Sequence, residues 1–204
     1  MKRPFRAVCF FGALVFVAAL GAALFPGRLL ADEIKLPYPE PRSPNELPDT
    51  ALVQTTKGDF EIEFYRDISP NAVRNFEYLA LKHFYDGITI HRYEPGFVVQ
   101  MGDPIGNGKG GPGYTIPPEF SKTKHERGSL GMARLPDPVN PERRSSGSQF
   151  YITFGAARHL DGLYTIFGKV VKGMENVDKL RAGDKIINIR LPKDHKPAFS
   201  IKKE

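Results

Sequence analysis

The sequence predicts a mainly β fold in which the strands close into a β-barrel capped at its ends by two α-helices. Two kinds of segment support this prediction: many short β-rich runs bounded by turn residues, and two stretches with helical spacing of apolar residues. At 204 residues the chain has room for one domain with accessory segments.

The barrel is predicted to begin with a hairpin. Residues 51–56 and 60–65 are β-rich runs on either side of Lys57-Gly58-Asp59, a sequence typical of a tight turn. From Phe60 to Phe64 apolar residues alternate with charged ones, so one face of that strand is expected in the core. Further strands are predicted at about residues 97–101, 128–134, 148–154, 164–171 and 185–191.

The two helices are predicted from capping residues and periodicity. Ser69 and Pro70 supply an N-cap and a first-turn proline, and apolar residues then recur at helical spacing up to about His83. A second helix is predicted over residues 174–181, where Gly183 marks its end.

Residues 1–31 have the pattern of a secretory signal peptide. Three basic residues precede an apolar run over residues 7–25, and Ala31 provides a small residue at a plausible cleavage point. Because the apolar run is long for a signal peptide, an uncleaved membrane anchor through residues 7–25 is the alternative. Either interpretation predicts an exported protein, in a periplasm or a lumen or attached to the membrane.

Residues 32–50 contain five prolines, which fix φ and lack an N–H, so an extended tether is expected there before a globular domain over residues 51–204. A proline-rich recognition segment is the alternative. Four of the 29 basic residues lie in residues 1–31 and all 23 acidic residues follow them, so the remainder carries a net charge of +2. That balance gives no electrostatic case for nucleic-acid binding.

Two observations exclude other chemistries. The sole cysteine, Cys9, lies in the leader, so the exported part has neither disulfides nor thiol chemistry. Residues 106–111 formally match a dinucleotide-binding motif, but Pro112-Gly113 follows where that motif needs a helix. We interpret this glycine-rich stretch as a flexible surface turn.

Residues 90–103 carry the most specific chemistry. Arg92, Phe97 and Gln100 bring a cation, a large aromatic ring and an amide onto a short loop-to-strand segment with a turn at Pro95-Gly96. This combination predicts a small apolar pocket with one fixed hydrogen-bond donor and one adaptable polar group.

The segment IHRYEPGFVVQMGD resembles the active-site stretch of the cyclophilins, the peptidyl-prolyl cis-trans isomerases. The resemblance covers roughly residues 52–191 and includes, in order, the motifs NAVRNF (71–76), GSLGMA (128–133), GSQFYIT (147–153) and LDGLYTIFG (160–168). It implies a closed, eight-stranded antiparallel β-barrel capped by two helices, in the bacterial branch of the family. It also implies a monomer that isomerises X–Pro bonds of proline-containing polypeptides without a metal or other cofactor.

The resemblance implies that Arg92 is the catalytic arginine, that Phe97 forms a wall of the proline pocket and that Gln100 lies near the substrate carbonyl. An X–Pro bond rotates slowly because its amide is conjugated, with a barrier of ~18–20 kcal/mol. A guanidinium aimed at the prolyl nitrogen favours the pyramidal nitrogen of the twisted state, which is sufficient for catalysis. Without the resemblance, Arg92 would be interpreted as a surface residue and Phe97 as a core residue.

Further substrate contacts are implied on several strands. The positions that match the family's binding groove are Val98, Met132, Ala133, Arg134, Gln149, Tyr151, His159, Leu160 and Tyr164. Ala133 and Arg134 match the segment that pairs with the substrate backbone, where Arg134 replaces an expected asparagine. Val98 and Tyr151 replace the methionine and phenylalanine usual in eukaryotic members, and because the pocket stays apolar we expect altered affinity rather than lost activity.

His159 and Tyr164 also depart from the eukaryotic pattern. His159 stands where eukaryotic cyclophilins carry a tryptophan that binds the drug cyclosporin, and Tyr164 stands where they carry a histidine. We therefore expect cyclosporin to bind weakly. No metal site is predicted at His159, because no set of residues with ligand spacing accompanies it.

The segment over residues 135–146 is longer than the matching loop expected in compact bacterial cyclophilins. Three prolines stiffen it, and Arg143-Arg144 place positive charge at its end. It fits either a solvated insertion or a loop that selects partners or substrates.

Two other functional hypotheses stay open from the sequence. The groove could hold proline-containing segments as a chaperone-like or scaffolding module without catalysis, although binding alone would not require Arg92. The leader and tether also fit a membrane-anchored structural subunit of a larger complex.

Overall fold

The computed structural model describes residues 49–192. The predicted leader (residues 1–31), the tether as far as residue 48, and residues 193–204 of the predicted domain lie outside this range. Within it the strands are β1 (Thr50–Thr55), β2 (Phe60–Phe64), β3 (Arg92–Glu94), β4 (Val98–Met101), β5 (Thr115–Ile116), β6 (Ser129–Met132), β7 (Ser145–Ser146), β8 (Phe150–Thr153), β9 (Ile166–Lys172) and β10 (Ile186–Arg190). The helices are α1 (Pro70–Leu81) and α2 (Met174–Val177), with short 3₁₀ turns at Asp137–Val139 and Arg158–Leu160.

Eight of these strands form one curled antiparallel sheet, in the spatial order β10-β1-β2-β9-β6-β8-β4-β3, and β5 pairs with β7 in a separate ribbon. The predicted hairpin is present, because β1 and β2 pair on either side of residues 57–59. The sequence analysis did not predict β3, β5 or β7, which have only two or three residues each and show no alternation. Over residues 49–192 the fold is therefore mainly β with two α-helices.

The prediction of a closed barrel is wrong in one respect. Within residues 49–192 the edge strands β3 and β10 do not pair with each other, so the sheet is a half-barrel. The chain just before β3 instead meets the start of β10 and the turn before it: the N–H groups of Gly87 and Ile90 donate to the carbonyls of Ile186 and Asp184 at 2.9 and 2.7 Å. This contact is an isolated β-bridge between Thr89 and Lys185, and it does not continue into β3.

The core lies between the sheet and α1. Phe76 of α1 is fully buried, and its ring centroid lies 5.1, 5.3 and 5.4 Å from those of Tyr85, Phe150 and Phe167. Aromatic pairs at such distances add to the burial energy of the core. This cluster packs against β8, which carries Tyr151 of the pocket described below, and against β9.

The helix ends differ from those predicted. Ser69 occupies the N-cap position of α1, but its hydroxyl donates to the carbonyl of Ile166 at 2.8 Å. The N–H groups of Asn71 and Ala72 are bound instead by the carboxylate of Glu119, each at 2.9 Å. An acidic side chain supplied by a distant loop thus replaces the predicted local cap.

The second helix, α2, is shorter than the predicted span of residues 174–181. After it the N–H groups of Lys179 and Leu180 bond to the carbonyls of Asn176 and Val177, three residues back, so the chain tightens into turns. No helix within residues 49–192 is both long and apolar enough to cross a bilayer.

Candidate active site

Neighbouring strands align a row of side chains on one face of the sheet. Arg92 of β3 pairs with Gln100 of β4, and Gln100 pairs with Tyr151 of β8. Tyr151 lies opposite Gly131 of β6. Because directly paired residues project to the same face of a sheet, Arg92, Gln100 and Tyr151 stand side by side.

The turn predicted at residues 95–96 positions Phe97. Gly96 has a φ of 72°, a conformation that residues with side chains rarely adopt, and the N–H of Phe97 bonds to the carbonyl of Glu94 across the turn at 3.0 Å. The partly exposed ring of Phe97 then lies 5.2 Å, centroid to centroid, from the imidazole of His159.

An open pocket of about 380 Å³ lies over this face of the sheet. Ten of the twelve predicted site residues line it: Arg92, Phe97, Val98, Gln100, Ala133, Arg134, Tyr151, His159, Leu160 and Tyr164. Beneath it Val98, Tyr151, Ala157 and Leu160 form a small apolar cluster separate from the main core. The pocket therefore combines an apolar floor with a guanidinium and an amide at its side.

Met132 and Gln149 are not among the lining residues. Met132 is 1% exposed and belongs to the main core beside its strand partner Phe150. Side chains alternate between the two faces of a strand, so Met132 points away from the face that carries Gly131. Gln149 is also buried, but its side chain reaches the pocket through Gln100.

A directed chain of hydrogen bonds orients the amide of Gln100. Arg92 Nη1 donates to Gln100 Oε1 at 3.2 Å, and Gln100 Nε2 donates to Gln149 Oε1 at 2.9 Å. Gln149 Nε2 donates in turn to the carbonyls of Gly108 and Gly110 at 3.0 and 2.8 Å. The two carbonyls can only accept, so they fix the orientation of both amides.

The glycine-rich loop that supplies these carbonyls is held by a buried carboxylate. Asp103 is fully buried and accepts N–H bonds from Ile105 at 2.8 Å, from Asn107 at 2.9 Å and from Gly108. Burial opposes ionisation of Asp103, but these backbone bonds outweigh it and lower its pKa. A Cβ on Gly110 would overlap the carboxylate. The glycine-rich stretch, interpreted from the sequence as a flexible surface turn, thus also supports Gln149.

The opposite rim is organised by Arg134. Its side chain is 5% exposed, its guanidinium carbon lies 4.6 Å from the ring centroid of Tyr164, and its Nη1 is 2.6 Å from Asp137 Oδ1. Asp137 also pairs with Arg143 at 2.8 Å. Arg134 therefore ties the 135–146 segment to the pocket rim.

The main chain beside Arg134 is already partly used. The N–H of Ala133 donates to the carbonyl of Gln149 at 2.9 Å, and the carbonyl of Ala133 accepts from Ser146 at 2.7 Å. Ala133 and Arg134 were both expected to pair with a substrate backbone. The backbone N–H and carbonyl of Ala133 are already bonded within the protein.

The sequence analysis did not single out His125. It is fully buried, its Nε2 lies 2.9 Å from the hydroxyl of Tyr151, and its Nδ1 lies 3.0 Å from Asp161 Oδ1. Asp161 is part of a matched motif, but no local pattern links it to a histidine 36 residues earlier. Within residues 49–192 no group of three His, Cys, Asp or Glu side chains is placed to hold a metal ion.

Comparison with known proteins gives concordant matches. The family model described as cyclophilin type peptidyl-prolyl cis-trans isomerase/CLD matches residues 50–198. A peptidyl-prolyl cis-trans isomerase of Synechococcus elongatus is 40% identical over 71% of this chain and 97% of its own length. Peptidyl-prolyl cis-trans isomerase B of Bacillus subtilis is 44% identical over 64% of this chain and 89% of its own length.

Solved structures agree with these sequence matches. A cyclophilin type peptidyl-prolyl cis-trans isomerase of Cryptosporidium parvum, crystallised in the presence of the dipeptide Ala-Pro, superposes with a TM-score of 0.63 at 29% identity. The superposition covers 71% of this chain and 99% of that one. The chain therefore belongs to the family of cyclophilin-type peptidyl-prolyl cis-trans isomerases.

Proposed function

We propose that this isomerase is exported and acts on X–Pro bonds of proteins outside the cytoplasm, with Arg92, Phe97 and Gln100 at the reacting bond. The pairing of Arg92 with Gln100 beside an apolar pocket carries the assignment of these residues to the reacting bond. The signal-peptide pattern of residues 1–31 supports export. The relative crystallised with Ala-Pro supports a proline-containing peptide as the ligand.

In this proposal the pocket holds the proline ring while polar groups act on the amide. Phe97, Val98 and Leu160 supply apolar contacts. Gln100 and Glu94 each accept one N–H of Arg92, at 3.2 and 3.4 Å, which leaves other donors of the guanidinium for the prolyl nitrogen. The lone pair of that nitrogen becomes available only as the amide twists. Such a bond is stronger in the twisted state than in the planar one, which is the condition for catalysis.

Gln100 and Arg134 complete the proposed substrate contacts. Gln149 accepts one N–H of the Gln100 amide. The second N–H of Gln100 then remains to donate to the carbonyl that precedes proline. Because Ala133 bonds within the protein, we assign pairing with the substrate backbone to the main chain of Arg134.

Replacing Gln149 with leucine is expected to lower kcat/KM about tenfold, because Gln100 loses the partner that orients it. The measurement is isomerisation of an Ala-Pro tetrapeptide, with Gln54→Leu as the control, since Gln54 bonds to Asp59 far from the pocket. Equal activity of the two variants would show that the amide chain does not orient Gln100.

Deleting residues 136–143 is expected to change the choice among protein substrates while sparing the tetrapeptide. Leu135 and Val139 are 61% and 66% exposed on this loop, which Arg134 holds at the rim. A Leu135→Ser/Val139→Ser variant keeps the ion pair and should reproduce the change in refolding assays. Parallel losses on peptide and protein substrates would contradict a selecting role.

Cyclosporin is expected to bind weakly because His159, and not a tryptophan, lies beside Phe97, with its ring tilted by 35°. Isothermal titration of the drug into the purified protein measures this directly. A nanomolar dissociation constant would contradict the expectation.

Export is tested by the N-terminus of the protein recovered from cells. Mass spectrometry that finds a start near Asp32 in a soluble extracytoplasmic fraction would support a cleaved signal peptide. An intact N-terminus in the membrane fraction would support the anchor, whereas an intact chain in the cytoplasmic fraction would contradict export.

A further inference from the structure

Tyr151 is a pocket residue whose hydroxyl has a buried partner. The residue is 4% exposed, and its ring lines the pocket and meets that of Tyr164 edge-on at 6.2 Å. Its hydroxyl lies 2.9 Å from His125 Nε2, and the two ring planes are only 18° apart. Tyr151, in place of the phenylalanine usual in eukaryotic members, was expected only to keep the pocket apolar. Its hydroxyl also adds a polar contact behind the pocket wall.

The protons of this contact can be assigned from the chemistry of Asp161. Hydrogen bonds from His125, together with nearby positive charge, lower the pKa of Asp161 to about 2, so its carboxylate is ionised and only accepts. His125 Nδ1 must then carry the proton that it donates to Asp161 Oδ1 at 3.0 Å. Burial lowers the pKa of His125, so Nε2 is unprotonated at neutral pH and accepts the O–H of Tyr151.

Gly131 makes room for this arrangement. A Cβ at that position would overlap the phenol carbon and oxygen of Tyr151. A larger residue at position 131 would push the ring of Tyr151 away from β6 or away from His125. Three separate features, namely the small residue, the buried acceptor and the carboxylate behind it, thus hold one ring in one place.

We propose that Asp161 and His125 are positioning residues, which act through the hydroxyl of Tyr151 to hold the pocket wall that shapes the site for the proline ring. The inference rests on the proposed function, since it assigns Tyr151 to the binding of substrate. Without an acceptor at His125, the buried phenol must either stay unpaired or turn towards water at the pocket mouth, where it would compete with substrate.

The test combines single and double substitutions in the purified full chain, with an Ala-Pro tetrapeptide as substrate. His125→Leu is expected to raise KM about tenfold and to change kcat less than twofold, because the lost bond shapes binding and not the reacting amide. His125→Gln offers an amide oxygen near the position of Nε2 and should recover part of this loss. The double variant His125→Leu/Tyr151→Phe has no phenol hydroxyl to leave unpaired. Its KM should therefore fall to within twofold of the KM of Tyr151→Phe alone.

A KM for His125→Leu equal to that of the wild type would overturn the inference. It would also be overturned if the effects of His125→Leu and Tyr151→Phe on KM multiplied in the double variant, because the two side chains would then act independently. An inactive wild-type protein would instead overturn the proposed function. Nitrogen-15 NMR of His125 in the substrate-free wild type gives a readout that needs neither activity nor variants that fold poorly. A protonated Nδ1 and a hydrogen-bonded, unprotonated Nε2 would support the assignment, whereas a proton on Nε2 at neutral pH would overturn it.

Discussion

Replacing Arg92 with alanine is expected to lower kcat/KM for an Ala-Pro tetrapeptide by about 10²–10³-fold, the cost typical of removing a donor that acts on the transition state. The side chain of Arg92 is 47% exposed, so its removal leaves no buried group unpaired apart from the oxygen of Gln100. We therefore expect the free energy of unfolding to change by less than about 0.5 kcal/mol.

Two further variants sharpen this prediction. Arg92→Lys keeps the charge but loses the planar set of donors that reaches Gln100 and the substrate together, so an intermediate loss is expected. Arg190→Ala removes an exposed arginine that bonds to Asn188, and it should leave activity unchanged. If Arg92→Ala retained activity comparable to Arg190→Ala, the guanidinium would not take part in catalysis.

Replacing Glu77 with alanine is expected to destabilise the fold by about 3 kcal/mol at pH 8, because it removes the buried one of two carboxylates that pair with Arg66 and leaves only Asp49, at 3.6 Å. The side chain of Glu77 is 0% exposed, and both its oxygens accept from Arg66, at 2.6 and 3.2 Å. Burial raises the pKa of Glu77 to about 7 against the opposing effect of Arg66, so pH 8 ensures that the pair is ionised. Urea unfolding measures the change.

An exposed ion pair between β2 and β9 provides the control. Glu63 and Lys169 lie 3.1 Å apart with side chains 44% and 47% exposed. Glu63→Ala should cost no more than about 1 kcal/mol, since water already screens this pair. Equal costs for the two alanine variants would show that burial does not govern the contribution of Glu77.

Local patterns predicted the parts of the fold that local physics decides. The alternation from Phe60 to Phe64 predicted the buried face of β2, and the structure buries Phe60, Ile62 and Phe64. Pro95-Gly96 predicted the turn between β3 and β4, which brings Arg92 opposite Gln100. The local pattern singled out Arg92, Phe97 and Gln100, whereas the other residues of the pocket were named only through the resemblance to the cyclophilins.

The features that the sequence did not predict depend on distant partners. The cap of α1 comes from Glu119, and the histidine behind Tyr151 comes from a loop 26 residues earlier. Sheet closure likewise depends on how far β3 extends, which a three-residue strand does not reveal in its sequence. The face on which Met132 lies follows from the register of β6 against β8, and no motif states that register.

The most direct test of the central claim is the cis-to-trans isomerisation of an Ala-Pro tetrapeptide in the presence of wild-type protein. Catalysis by this pocket predicts a rate that rises in proportion to protein concentration, with an unchanged cis-trans equilibrium at substoichiometric amounts. A folded protein that binds the peptide but leaves the rate at its uncatalysed value would contradict the account. The pocket would then be a holding site for proline-containing segments.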